Sequence, residues 1–191
     1  VALMSGMAGT EESFKQLSGQ SITLLHVATH GFYSPLTGHY TAQRSFEEQA
    51  LSRSGLFLSG AAASLNMKKI PEDIEDGILT AKELSKLDLS NLNLAILSAC
   101  QTGLGEIVGD GVFGLQRGFK KAGAQTLLMS LWKVDDTATQ LLMAEFYKNL
   151  VSGQNKRAAF LNAQKYLRSY QNGIYDKPEY WAAFIMLDGI H

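Results

Sequence analysis

Ser21-Ile22-Thr23-Leu24-Leu25-His26-Val27-Ala28-Thr29-His30-Gly31 is the stretch on which the fold turns. A compact apolar run closed by a Thr-His-Gly turn has the form of a buried strand, because strands covered on both faces lose the polar alternation of half-exposed ones. This strand delivers His30 to its C-terminal end. A second run, Leu92 to Ser98, closes with Ala99-Cys100-Gln101-Thr102-Gly103, so Cys100 also stands just past a strand end. A third, Gln125 to Leu131, leads into Trp132-Lys133-Val134-Asp135-Asp136, and Trp181 to Leu187 reads as a fourth. Helical patterns lie between and after them over Gly111 to Ala122, Asp136 to Val151 and Lys156 to Tyr170. In the second of these, Ala138, Leu142, Phe146 and Leu150 recur every four residues and turn one apolar stripe toward a sheet. Strands alternating with helices predict an α/β fold, a mostly parallel sheet with helices on both faces, whose ligands bind outside the carboxyl ends of the strands.

Shorter signals fill the remainder. Phe32 to Ser54 shows no sustained periodicity and reads as a long mobile loop beside the His30 strand end, a candidate cover for a latent site. Gly55 to Gly60 reads as a short strand, and Asp76 to Thr80 as a turn into a helix capped by Thr80. The chain opens at Val1, and its first 20 residues read as a loop and a short helix. The expectation is a single domain over residues 1–191, the C-terminal part of a longer protein.

Composition narrows the function. Seventeen Lys and Arg against 18 Asp and Glu give a net charge of −1, so no global field draws in nucleic acid or anionic membrane. No apolar run reaches the ~18 residues of a membrane span, and no signal-peptide layout opens the chain. The single cysteine has no partner for a disulfide and no metal-site spacing around it, which fits a reducing, cytoplasmic setting and implies neither cofactor nor metal.

A lone cysteine and a His-Gly pair that both close apolar strands can face one cleft. Nucleophilic catalysis by sulfur needs a thiolate, an imidazole to carry a proton and N–H donors for an oxyanion. His30, Cys100 and the amides of Gly31 and Cys100 are the available parts. Gly31 has no Cβ, so a substrate backbone can approach its N–H closely. The plainer alternative, a small buried cysteine and a satisfied histidine, is common for arbitrary residues of these types. Spacing weakens it. Caspases carry Q-A-C-[RQG]-G with a histidine about 50 residues upstream. Here Ser98-Ala99-Cys100-Gln101-Thr102-Gly103 has one extra residue before the glycine, and His30 lies 70 residues before Cys100.

Taken together, Ala28-Thr29-His30-Gly31, Leu97 to Gly103, Gly109-Asp110-Gly111-Val112 and Ser130-Leu131-Trp132-Lys133-Val134-Asp135-Asp136 resemble the CHAT family, caspase-like domains usually found downstream of tetratricopeptide repeats. The resemblance runs from about Leu24 to Tyr180-Trp181-Ala182-Ala183-Phe184. It departs only conservatively, with Asp110 where members often carry glutamate. It implies a caspase-hemoglobinase fold, a three-layer αβα sandwich, with His30 and Cys100 as the catalytic dyad of a cysteine endopeptidase. It implies a protein or peptide substrate and an upstream repeat domain or other regulatory partner. It also puts Trp132, Asp135 and Asp136 near the pocket for the residue before the scissile bond, where a carboxylate would favour Arg or Lys. One of the two acids is alternatively the cap of the following helix. The rival reading is a caspase-like scaffold or signalling module without turnover, since a fold does not entail a function.

Other motifs fall away. Gly109 to Gly114 matches G-x-G-x-x-G, but it does not follow its strand directly, and Asp110 would repel a pyrophosphate. Glu72 to Asp76 is acidic without calcium-loop spacing. His26 reads as structural, and His39, in the long loop, and His191, at the terminus, are not read as metal ligands.

Overall fold

The computed structural model describes residues 2–34, 46–66, 75–98, 106–108 and 111–189. Helix α1 (Glu11–Lys15) precedes β1 (Leu24–Val27) and β2 (His30–Tyr33). Then come α2 (Phe46–Leu51), β3 (Ser54–Phe57), α3 (Ala61–Asn66), β4 (Ile78–Thr80), α4 (Ala81–Leu84) and β5 (Leu94–Leu97). A hairpin of β6 (Glu106–Val108) and β7 (Gly111–Phe113) leads to α5 (Leu115–Ala122) and β8 (Thr126–Ser130). The chain closes with α6 (Asp136–Val151), α7 (Lys156–Ser169), α8 (Pro178–Trp181) and β9 (Phe184–Asp188).

Among the described residues the main sheet has the order β1-β5-β8-β9, the first three strands parallel and β9 antiparallel to β8. Successive side chains on a strand point to opposite faces, and both faces of this sheet are covered. Ala95, Leu97, Leu127 and Met129 pack with Leu84, Leu115 and Phe119 of α4 and α5. Leu94, Ile96 and Leu128 pack with Leu142 and Phe146 of α6 and Ala163 and Leu167 of α7. The mostly parallel three-layer αβα arrangement expected from the sequence is therefore present. Burying a side chain such as Phe119 or Phe146 completely, as here, contributes about 1.5–3 kcal/mol.

The helix ends follow local chemistry. Asp135 caps α6 by accepting from the Ala138 N–H at 2.8 Å, and Asn155 caps α7 by accepting from the Ala158 N–H at 2.9 Å. Thr80 and Glu83 form the reciprocal capping box that opens α4. Helix α5 stops at Gly123, whose φ of 97° is the left-handed conformation glycine adopts without strain.

A second, antiparallel sheet, β2-β3-β4, sits beside the first, and it corrects the sequence reading in two places. His30-Gly31 is not the turn that ends a strand. The bend falls at Ala28-Thr29, where the Thr29 hydroxyl donates to the Phe57 carbonyl, and His30 then opens β2 opposite Phe57. Nor is Phe32 to Ser54 one loop. It contains the rest of β2 and helix α2, in which Ala50 and Leu51 are buried, while residues 35–45 lie outside the described part. Two boundaries also move. Gly111–Phe113 is strand rather than helix, because β7 pairs with β6 and the extended backbone of Gly114 separates it from α5. The last apolar run starts as the short helix α8, with Pro178 in its first turn, and becomes strand only at Phe184.

Close backbone approach explains Gly55. A Cβ there would lie 2.5 Å from the Leu79 carbonyl oxygen and 2.7 Å from the Phe32 ring, so only glycine lets β2, β3 and β4 close up.

Candidate functional site

The parallel sheet aligns three chain segments at one end. Val27 of β1 is in register with Leu97 of β5, and Leu97 with Met129 of β8, so these three residues form one rung across adjacent strands. His30, Cys100 and Trp132 each follow three residues after their member of that rung. Neighbouring strands stand about 4.8 Å apart. Ser98, directly after β5, donates its backbone N–H to the Val27 carbonyl at 2.9 Å, which holds the two strand ends together as the chain leaves toward residue 100.

His30 is described and exposed, with Gly31 half-buried beside it. Cys100 and its amide lie outside the described residues. Among the described residues no side chain hydrogen-bonds to the His30 ring, so no third group that would orient it is in view. Trp132 is 38% exposed, and its indole N–H donates to the Glu179 carbonyl at 3.2 Å, which ties the end of β8 to α8. The two candidate acids separate: Asp135 is occupied as the α6 cap, and Asp136 stands exposed in the first turn. Desolvation, and after it the Asp135 carboxylate, raises the pKa of the Tyr175 phenol, so the segment ahead of α8 faces this helix start.

Two further clusters of charged residues stand out. Glu11, Glu75 and Glu83 bring carboxylate oxygens within 4.8 Å of one another, a spacing that suits a cation. The Lys15 ammonium already fills that place, at 2.7, 2.8 and 3.1 Å from the three, and it ties α1 to α4. At the opposite end of the sheet a cavity of about 340 Å³ is lined by Thr126, Lys156, Arg157 and Asp188. There Lys156 Nζ donates to Thr126 Oγ1 at 2.6 Å and Arg157 pairs with Asp188 at 2.8 Å, so its polar groups are mutually satisfied.

His26 was read as structural, and its surroundings say more. Its Nε2 lies 2.8 Å from Ser98 Oγ and its Nδ1 2.8 Å from the Tyr147 hydroxyl of α6. Part of the residue meets solvent, yet burial of the ring lowers its pKa below the usual histidine value. Burial also pushes the Tyr147 phenol up to about 12. Both groups are therefore neutral at physiological pH.

A doubly covered, mostly parallel sheet with helices on both faces fits a caspase-like α/β domain. The family model of the CHAT domain matches residues 1–189, and the chain belongs to that family. It is 34% identical over 110 residues to Tetratricopeptide repeat protein 28 of Mus musculus and 32% identical over 114 residues to Tetratricopeptide repeat protein 28 of Homo sapiens. Those matches cover 58% and 60% of this chain, and the chain spans about 4% of the length of either relative. Among the described residues no helix is long and apolar enough to cross a membrane.

Proposed function

We propose that this domain is a cysteine endopeptidase that cleaves a protein or peptide through a His30–Cys100 dyad. The supporting observation is the common rung: residues 30 and 100 leave paired positions of adjacent parallel strands after equal lengths of chain. Cys100 as thiolate attacks the scissile carbonyl, and the N–H groups of Gly31 and Cys100 receive the developing oxyanion. The C–N bond breaks as His30 passes a proton to the leaving amine. Water, deprotonated by His30, then hydrolyses the thioester. Trp132 walls the groove. Asp136, the acid not spent on capping, offers a carboxylate to a basic side chain, and Asp135 acts there only through the helix it caps. The curated relatives are named for tetratricopeptide repeats, which supports an upstream repeat region, with residues 1–191 as one domain of a longer cytoplasmic protein and that region as its regulator.

Active-site labelling by a panel of peptide acyloxymethyl ketones under reducing conditions tests this. Labelling that disappears in both Cys100→Ala and His30→Ala supports the dyad, and the preferred peptide reports on Asp136. A folded full-length protein that no probe labels, with and without its repeat region, would leave the non-catalytic scaffold as the better reading.

A further inference from the structure

We propose that Tyr147, His26 and Ser98 form a hydrogen-bonded tie that positions the segment carrying Cys100 and so sets the reactivity of its thiol. The proposal rests on Cys100 being the nucleophile, and its test does not require peptidase turnover. The three residues come from three elements in two layers: α6 on one face of the sheet, and β1 and the end of β5 within it. A neutral imidazole has one donor and one acceptor nitrogen, and hydroxyls on both sides satisfy either tautomer. The phenol is the stronger acid of the two hydroxyls, so the favoured chain runs from Tyr147 O–H to Nδ1 and from Nε2–H to Ser98 Oγ. That arrangement leaves the Ser98 proton free for a further acceptor.

The tie acts where the path to the nucleophile begins. Two residues of chain reach at most about 7 Å, so the Cα of residue 100 stays within that distance of the Ser98 anchor. Ser98 is held at two points, by its backbone N–H on Val27 and by its side chain on His26. Without the side-chain bond only the backbone bond still holds Ser98. Displacements of about 1 Å at a reacting group change rates by up to about a hundredfold. His26 also packs against the Tyr147 ring at a centroid distance of 5.8 Å, so the position of α6 is transmitted to the strand end by contact as well as by hydrogen bonding. Tyr147, His26 and Ser98 are thus positioning residues and do not themselves touch substrate.

The test is alkylation of the single cysteine by iodoacetamide in the full chain, measured across pH to obtain both thiol pKa and rate, with circular dichroism as the check on folding. Ser98→Ala, His26→Gln and Tyr147→Phe should each shift the rate in the same direction by roughly three- to tenfold, and Ser98→Ala combined with Tyr147→Phe should do no more than either alone, since each breaks one chain. Ser98→Thr keeps the hydroxyl and should restore the wild-type rate. In ¹⁵N spectra of the imidazole, Tyr147→Phe should move the Nδ1 signal of His26 and Ser98→Ala the Nε2 signal. Unchanged thiol reactivity in folded variants, additive effects, or a Ser98→Thr protein as impaired as Ser98→Ala would overturn the proposal. Labelling of Ser98 by a fluorophosphonate in a His26-dependent way would overturn it too, by making Ser98 a nucleophile. Thiol rates that follow the tie in a protein without peptidase activity would leave the tie standing and remove the endopeptidase reading.

Discussion

Replacing Lys15 with methionine would leave the Glu11 side chain, 1% exposed, without the ammonium that neutralises it. Methionine preserves most of the aliphatic stem, so charge is the main thing lost. Glu11 Oε2 keeps the Gly77 N–H at 2.9 Å, but Oε1 has no hydrogen-bond partner besides the ion pair with Lys15. Glu75 and Glu83 are 46% and 36% exposed, and pairs in such settings contribute about 0–1 kcal/mol each. The Glu11 pair therefore dominates. Removing one partner of a fully buried pair costs about 3–5 kcal/mol. Lys15 is itself 25% exposed, and water moderates the loss, so about 2–4 kcal/mol is expected. At about 2–4 °C per kcal/mol for a chain of this size, Tm should fall by roughly 5–15 °C. Urea unfolding followed by circular dichroism should show a lower midpoint at unchanged m. The loss carries a pH signature as well. Burial raises the Glu11 pKa above its ordinary 4.5 in the folded state, and removing Lys15 takes away what opposes that rise. A carboxyl raised in this way stabilises the fold below its unfolded pKa and loses that contribution as pH rises through the folded one. The gap between wild type and variant should therefore narrow on acidification toward 4.5. A loss below about 0.5 kcal/mol at neutral pH, or a gap that does not narrow, refutes the reasoning.

Other changes test other parts of the account. Gly55→Ala forces a methyl to within 2.5 Å of the Leu79 carbonyl oxygen and should cost about 1–3 kcal/mol in urea unfolding; full tolerance would show that β3 and β4 can separate. Asp135→Ala removes the α6 cap and should cost about 1 kcal/mol, whereas Asp136→Asn should leave Tm within a degree or two and lower labelling by probes with Arg or Lys before the reactive ketone. Equal effects of the two on stability would refute the division of labour between them. His26 has a folded pKa below 6.5, so wild-type stability should fall as pH drops from that value, when the unfolded chain takes up a proton the folded ring resists. His26→Gln should lack that component, and parallel pH–stability curves would count against an imidazole held neutral by its setting.

Much of the frame was readable from residue order. Leu94 to Leu97 is buried at every position, as its apolar run announced, whereas the similar run at β1 forms the sheet edge, where only Val27 is buried. The α6 stripe and the cap at Thr80 were legible because they depend on residues three or four apart, while for the α6 cap the sequence left Asp135 and Asp136 open. Strand β2 was not. Its pairing partners at Ser54–Phe57 lie more than 20 residues away, and His30-Gly31-Phe32-Tyr33 carries no alternation that marks it as strand. Helix α2 is a single short turn-and-a-half held by burial of Ala50 and Leu51 rather than by a long periodic pattern.

The candidate site divides along the same line. Residue types and their place after apolar runs brought His30 and Cys100 forward, since a run of buried apolar residues and the polar residue that closes it are adjacent in the chain. The register that sets Val27, Leu97 and Met129 on one rung comes from strands brought together by the packing of both sheet faces, and no local pattern encodes it. The Tyr147–His26–Ser98 tie is of this second kind. Its bonds span 121 and 72 residues, and they exist because α6 must lay its apolar stripe on the sheet, which carries a tyrosine hydroxyl to where the β1 histidine and the residue after β5 meet.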